Sequence, residues 1–264
     1  MQRARRLASV VVVASLGVAG LSACRSESSV AAYVGGSGRI TTDRVDAVYN
    51  EVRDQLQASP PDAQAPDGQP VDGQPTPASS GPVTMPITRA DVVSLLLGGG
   101  IVDKLAAAQG VAAPTEQDLQ EAQLASALKL PANSEYAQLY AVWLFKVDAL
   151  RAKVTTPGNP TDADLQELHD GLVAIQQYDP STPFSKFKTD LAASANMSVV
   201  RQAAAVRDEI VKAGSQSDIR INPRYQPTKL PLLVTQDQRN GMIVPLITVP
   251  IGPQDQAAPV TDAR

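Results

Sequence analysis

Thr88-Arg89-Ala90-Asp91-Val92-Val93-Ser94-Leu95-Leu96-Leu97-Gly98-Gly99-Gly100-Ile101-Val102-Asp103-Lys104-Leu105-Ala106-Ala107-Ala108 is the stretch whose reading decides the fold. Thr88 stands three residues before Asp91 and an apolar run follows at once, the arrangement of a capping box with Asp in place of Glu. An acidic group in the first turn also suits the helix dipole. The spacing predicts a helix from Arg89 to Ala108. Inside it lies Gly98-Gly99-Gly100, where each glycine costs up to about 1 kcal/mol relative to alanine, so a kink or a split is expected there.

The same start signal recurs at Thr115 with Asp118 and at Thr161 with Asp164. These predict helices from Glu116 to Leu128, stopped by Pro131, and from Asp162 to Gln177. Between them, Glu135 to Lys153 carries Tyr136, Leu139, Tyr140, Trp143, Val147 and Leu150 on one helical face. Helices are also predicted from Asp43 to Ala58, from Phe184 to Ala193 behind Pro183, and from Val199 to Ala213. Upstream, Ala31 to Val34 and Arg39 to Thr41 flank Gly35-Gly36-Ser37-Gly38 and read as a small hairpin. Downstream, Ile219 to Ile221 and the apolar run Met242 to Ile251, interrupted by Pro245 and Pro250, read as extended segments. The segment from Ser59 to Pro86 differs from all of these, with eight prolines, three glycines and Asp-Gly-Gln-Pro twice. Such a composition buries little, and 59–86 reads as a disordered insertion between two helices.

The first 23 residues are of another kind. Arg3, Arg5 and Arg6 precede an uncharged, mostly apolar run from Leu7 to Gly20, a length that suits a secretory signal of about 7–15 apolar residues better than a membrane span. Arg5-Arg6 hints at twin-arginine export, but its neighbours fit that route poorly and general secretion is favoured. Leu21-Ser22-Ala23 then leads to Cys24, the only cysteine. This resembles the bacterial lipobox, which implies acylation of the Cys24 thiol and cleavage just before it. Two acyl chains anchor stably at about 0.8 kcal/mol per buried CH₂, where one chain does not. The expected product is lipid-anchored at the extracytoplasmic face of the cell membrane, with 24–29 as a tether.

Beyond position 23 the chain has 20 basic and 27 acidic residues and no further thiol. Its acidity argues against nucleic acid as a partner, and stability has to come from packing without disulfides. Aromatic residues make up 4% of the sequence, which favours a helical body over a sandwich or barrel.

Catalytic constellations are scarce. His169 is the lone histidine, beside Asp170, with no second histidine or thiol to complete a metal or nucleophile site. It reads as a solvated helix residue. The glycine triplet lacks the strand before it and the Lys-Ser/Thr after it that a phosphate loop requires. Asp162, Asp164, Glu167 and Asp170 form an acidic patch; since Asp164 serves as a cap, a solvated helix start is the expected role, and carboxylate hydrolysis ranks below the binding functions. No catalytic residue, metal or cofactor is expected. Tyr136, Tyr140 and Trp143 either fill a core, the first use of scarce aromatics, or line a groove that grips apolar peptide side chains. They are the candidate peptide-binding residues.

Two regions carry a family resemblance. Ala32-Tyr33-Val34, the glycine turn and Ile40-Thr41-Thr42-Asp43-Arg44-Val45 resemble the start of the SurA-type chaperone domain, and Arg89 to Leu96 with Gly110 to Glu116 looks like its second helix and the approach to its third. Ile219-Arg220-Ile221-Asn222-Pro223-Arg224-Tyr225 is similar to the ending of exported lipoproteins built on that domain, with Gln226 where the family has glycine. The resemblance implies a mainly α, SurA N-terminal-like domain over 30–225 whose N-terminal hairpin pairs with the strand Ile219 to Ile221, leaving 226–264 as an extended C-terminal tail. It also implies a chaperone for unfolded exported polypeptides. The chain has neither the room nor the histidines for that family's parvulin module, so prolyl isomerase activity is not expected. The competing expectation is a structural lipoprotein that docks on one specific envelope partner.

Overall fold

The computed structural model describes residues 29–35, 38–58, 84–120 and 130–252. Cys24, Leu21 to Ala23, nearly all of the tether and most of the 59–86 insertion lie outside them. Of the described residues, 56% are helical and 15% are in strands. The architecture is therefore mixed, a helical body with two small antiparallel sheets, and not plainly all-α.

The first sheet closes the chain on itself. Strands β1 (Val30–Val34) and β2 (Gly38–Thr41) form the expected hairpin, with Gly35 at φ +61° in its turn. Strand β3 (Ile219–Ile221) pairs antiparallel along the other edge of β1, so the order is β2-β1-β3 and Tyr33 lies between Arg39 and Arg220. The Asn222 backbone N–H extends the pairing by donating to Ala31 O at 2.9 Å. The two ends of the helical region thus meet, as the family resemblance implied. Gln226 sits at φ −93° and ψ 152°, extended backbone that needs no glycine.

Helix α1 (Thr42–Ala58) buries Val45, Val48 and Val52 on one face. Helix α2 (Arg89–Ala108) starts at the capping box: the Asp91 N–H donates to Thr88 Oγ1, and the Thr88 N–H donates to Asp91 Oδ2 at 2.7 Å. It runs unbroken through the glycine triplet, against expectation. The reason is packing: a Cβ at Gly98 would lie 2.3 Å from Leu230 Cδ1 and 3.0 Å from the Trp143 ring, whereas Gly99 and Gly100 face open space. Gly98 is needed for close approach, and burial of Val93, Leu97, Ile101 and Val102 on either side holds the helix through the three glycines.

After α2, Thr115 and Asp118 form a second reciprocal box, with Thr115 N–H donating to Asp118 Oδ2 at 2.8 Å, and helix covers residues 116–120. The expected end of that helix lies outside the described residues. Then follow α3 (Glu135–Ala152), capped by Ser134, α4 (Asp162–Ala174), capped by Thr161, α5 (Phe184–Ala192) and α6 (Asn196–Ser215). Helix α4 stops short of Gln177 because Gln176 takes a left-handed φ of +58°.

The segment after Tyr225 is extended, as its sequence suggested, yet it does not trail from the body. Strands β4 (Lys229–Gln236) and β5 (Ile243–Pro250) form an antiparallel hairpin. In a two-stranded sheet both strands are edges, which accommodates Pro231, Pro245 and Pro250. Strand β5 lies along α4 and α6, and β4 against α2 and α6. Leu230, Leu232, Leu246, Ile247, Val249 and Ile251 join Val93, Val102, Trp143 and Val206 in one buried cluster. The core therefore continues past position 225.

Two substitutions check this packing. Gly99→Ala, in open space inside α2, is expected to stabilise the protein by about 0.5–1 kcal/mol through helix propensity. Gly158→Ala is expected to destabilise it by about 1–3 kcal/mol through overpacking, because its Cβ would lie 2.5 Å from the Ala205 backbone nitrogen. Urea denaturation followed by circular dichroism measures both.

Candidate functional site

The aromatic stripe of α3 faces inward. Tyr136, Tyr140 and Trp143 are 5%, 6% and 1% exposed, and the two tyrosine rings stack at 6.2 Å. Burial, with the Asp91 charge adding to it, raises both phenols above their ordinary pKa. The Trp143 Nε1–H donates to Pro231 O at 2.8 Å, tying α3 to β4. Of the two roles open to these rings, the geometry matches the core; as peptide contacts they have no exposed face to offer.

The acidic patch is divided among structural partners. Asp164 caps α4 and also pairs with Arg207 of α6, with side chains 8% and 11% exposed. Asp162 pairs with Lys188 at 3.0 Å. Glu167 accepts from the Thr248 backbone N–H at 2.9 Å and from its hydroxyl at 2.7 Å, joining α4 to β5. Asp170 bonds His169 Nδ1 at 3.1 Å, and this bond, with a second from Gln166, lowers its pKa. Among the described residues no group of acidic, histidine or cysteine side chains is arranged to hold a metal.

His169 differs from its expected solvated role. Its side chain is 12% exposed, with the rings of Phe187, Tyr178 and Phe184 edge-on at 5.1, 5.7 and 5.9 Å. Those rings come from α5 and the loop before it, which helical periodicity within α4 does not register.

The other wall of α3 forms a groove of about 440 Å³ against β4. Leu144, Phe145 and Ala149 of α3, all half-buried, face Leu233 and Val234 of β4, with Val147 and Leu232 at its floor. Asp118, Asp148 and Arg151 supply its charge. Arg151 donates from Nη2 to Asp148 Oδ1, while its Nε and Nη1 are buried with no hydrogen-bond partner among the described residues. A buried donor left unsatisfied costs about 1–3 kcal/mol. Strand β4 pairs with β5 along one edge only, so among the described residues no strand covers its other edge. Apolar walls and an open strand edge together suit an extended polypeptide, whose backbone adds to strand edges and whose side chains fill adjoining pockets.

Sequence reasoning missed this groove. Leu144 and Phe145 lie off the Tyr136 to Leu150 stripe, and apolar residues on a second face of α3 were the available signal. The opposite wall, from β4, had no sequence pattern that joined it to α3.

Comparison of the chain with protein families, with curated proteins and with solved structures gives no match. Among the described residues no helix is long and apolar enough to cross a membrane.

The Asp164–Arg207 pair offers a direct check on the acidic patch as structure. Removing one partner of a buried ion pair costs about 3–5 kcal/mol, so Arg207→Met is expected to lower the unfolding free energy into that range. Urea titration measures it, and a loss well under 1 kcal/mol would contradict the structural role.

Proposed function

We propose that this chain is a lipid-anchored, extracytoplasmic chaperone-like protein that holds extended segments of unfolded exported polypeptide, without enzymatic activity and without prolyl isomerisation. The observation that carries the reading is the groove between α3 and the open edge of β4, with its apolar walls. Leu144, Phe145, Leu233 and Val234 take the client's apolar side chains. Trp143, bonded to Pro231 O of β4, holds α3 against the strand that forms the groove's other wall. The resemblance to the SurA N-terminal domain supports the client class, and the lipobox at Leu21-Ser22-Ala23-Cys24 supports the anchor and the compartment.

A second reading, docking on one envelope partner, is favoured by a different observation. Among the described residues the exposed large hydrophobics are Val199, Val211 and Met242, a sparse exterior for a promiscuous binder.

Aggregation of a chemically denatured client tests the first reading. The wild-type protein is expected to suppress it, and Phe145→Ser with Leu233→Ser is expected to weaken client binding by about tenfold, equivalent to about 1.4 kcal/mol, with helical content unchanged. A wild-type protein that leaves aggregation untouched, while one stoichiometric partner co-purifies from the envelope, would favour docking instead.

A further inference from the structure

Facing residues of an antiparallel pair alternate between exchanging their backbone bonds and turning both groups away from the partner strand. The hairpin of β4 and β5 marks this alternation at each end. Beside its turn the Asp237 N–H donates to Met242 O at 2.8 Å, and at its other end the Ile251 N–H donates to Thr228 O at 3.0 Å. Counted inward from the turn, Thr235 with Val244 is therefore a bonded pair, while Gln236 with Ile243 and Val234 with Pro245 turn outward. Pro245 has no N–H to give, which agrees with that assignment. Counted from the other end, Pro231 with Thr248 turns outward, and there the outward groups are in use. Pro231 O accepts from Trp143, and the Thr248 N–H donates to Glu167.

The two edges of the hairpin consequently differ. Along β5, proline removes the donor at 245 and 250 and Glu167 takes the one at 248. Along β4, Pro231 is spent on Trp143, which also places α3 beside this edge. Val234 and Gln236 then hold N–H and C=O groups that point away from β5. Val234 lines the groove, opposite Leu144 and Phe145 of α3. The groove's charge is also defined: Asp148 is paired with Arg151, and among the described residues the Asp118 carboxylate has no cationic partner. Thr115 donates to it from its backbone N–H and its hydroxyl, which lowers its pKa and keeps it charged at neutral pH. A carboxylate at the rim favours an occupant that carries a basic residue.

We infer that Val234 pairs through its own N–H and C=O with the backbone of a bound extended segment, so that the groove selects an apolar stretch flanked by lysine or arginine and rejects one with proline at the paired position. The inference rests on the groove being the client site. It makes β4 the strand that sets the client's register, with Pro231 ending the pairing on one side. An extended client turns an N–H toward β4 at every second residue. Backbone pairing therefore has a period of two along the client, which capture by side chains alone lacks.

The test measures binding of a fluorescein-labelled peptide of alternating leucine and threonine, led by a pair of lysines, to the full chain by anisotropy. Two further peptides carry backbone esters in place of amides, one at every leucine and the other at every threonine, which removes the N–H without adding bulk. One of them is expected to bind about tenfold more weakly or worse and the other to bind as the parent does. Equal effects of the two replacements, large or small, overturn the backbone pairing. Val234→Pro is expected to fold, since an edge position whose N–H is not used in the sheet admits proline, and to weaken the parent peptide by about tenfold; a folded variant with unchanged binding overturns the role of Val234. Should that variant fail to fold, the ester pair decides alone. Asp118→Asn, which keeps an acceptor for the cap, is expected to abolish the preference for the lysine-led peptide over a glutamate-led one, and a preference that persists overturns the charge assignment. In the free chain, amide exchange read by nuclear magnetic resonance is expected to be faster at Val234 and Gln236 than at Thr235. Slow exchange at Val234 would show an edge already paired, within the chain or with a second copy, and overturn the inference. A wild-type chain that binds none of the peptides overturns the client groove itself, whereas binding without alternation overturns the backbone pairing and leaves the groove.

Discussion

The seat of Trp143 is the contact on which the remaining architecture depends. Its indole lies against α2 where Gly98 has no side chain, beside Leu230 and Ile251, and its N–H is satisfied by Pro231 O. An aromatic side chain buries about 150–250 Å², which at about 25 cal/mol per Å² contributes about 4–6 kcal/mol. That single residue joins α2, α3 and the C-terminal hairpin. Helix α3 is thereby held at a fixed distance from β4, and the space left between their outer faces is the groove. The packing that stabilises the body and the groove beside it have the same origin.

A second constraint acts at the opposite end. Strand β1 is paired along both edges, by β2 from its own hairpin and by β3 from beyond the helical region. The residue that leads toward Cys24 is consequently fixed relative to α1, α2 and the Asn222 to Tyr225 turn. The apolar groove is built from different elements, α3 and β4.

Local chemistry was the legible part of the sequence. The boxes at Thr88, Thr115 and Thr161 depend on residues three apart, and all three form. The hairpin around Gly35 and the helices built on Val45, Tyr136 and Phe184 follow equally local rules. The errors arose wherever the deciding partner is distant in sequence. Gly98 reads as a helix breaker until Leu230 and Trp143 are seen to occupy its missing Cβ. His169 reads as solvated until the Phe184 and Phe187 rings of another helix enclose it. The segment after Tyr225 shows its extended character through β-branched residues and prolines, but its burial depends on the faces of α2, α4 and α6.

The most direct measurement of the proposed client holding is amide hydrogen exchange on the full chain with and without a bound unfolded polypeptide. Occupation of the groove predicts slower exchange confined to residues 144–149 and 232–234, with α6 unchanged. Slower exchange over α6 or the β2-β1-β3 sheet while the groove amides stay at their free rates would contradict it.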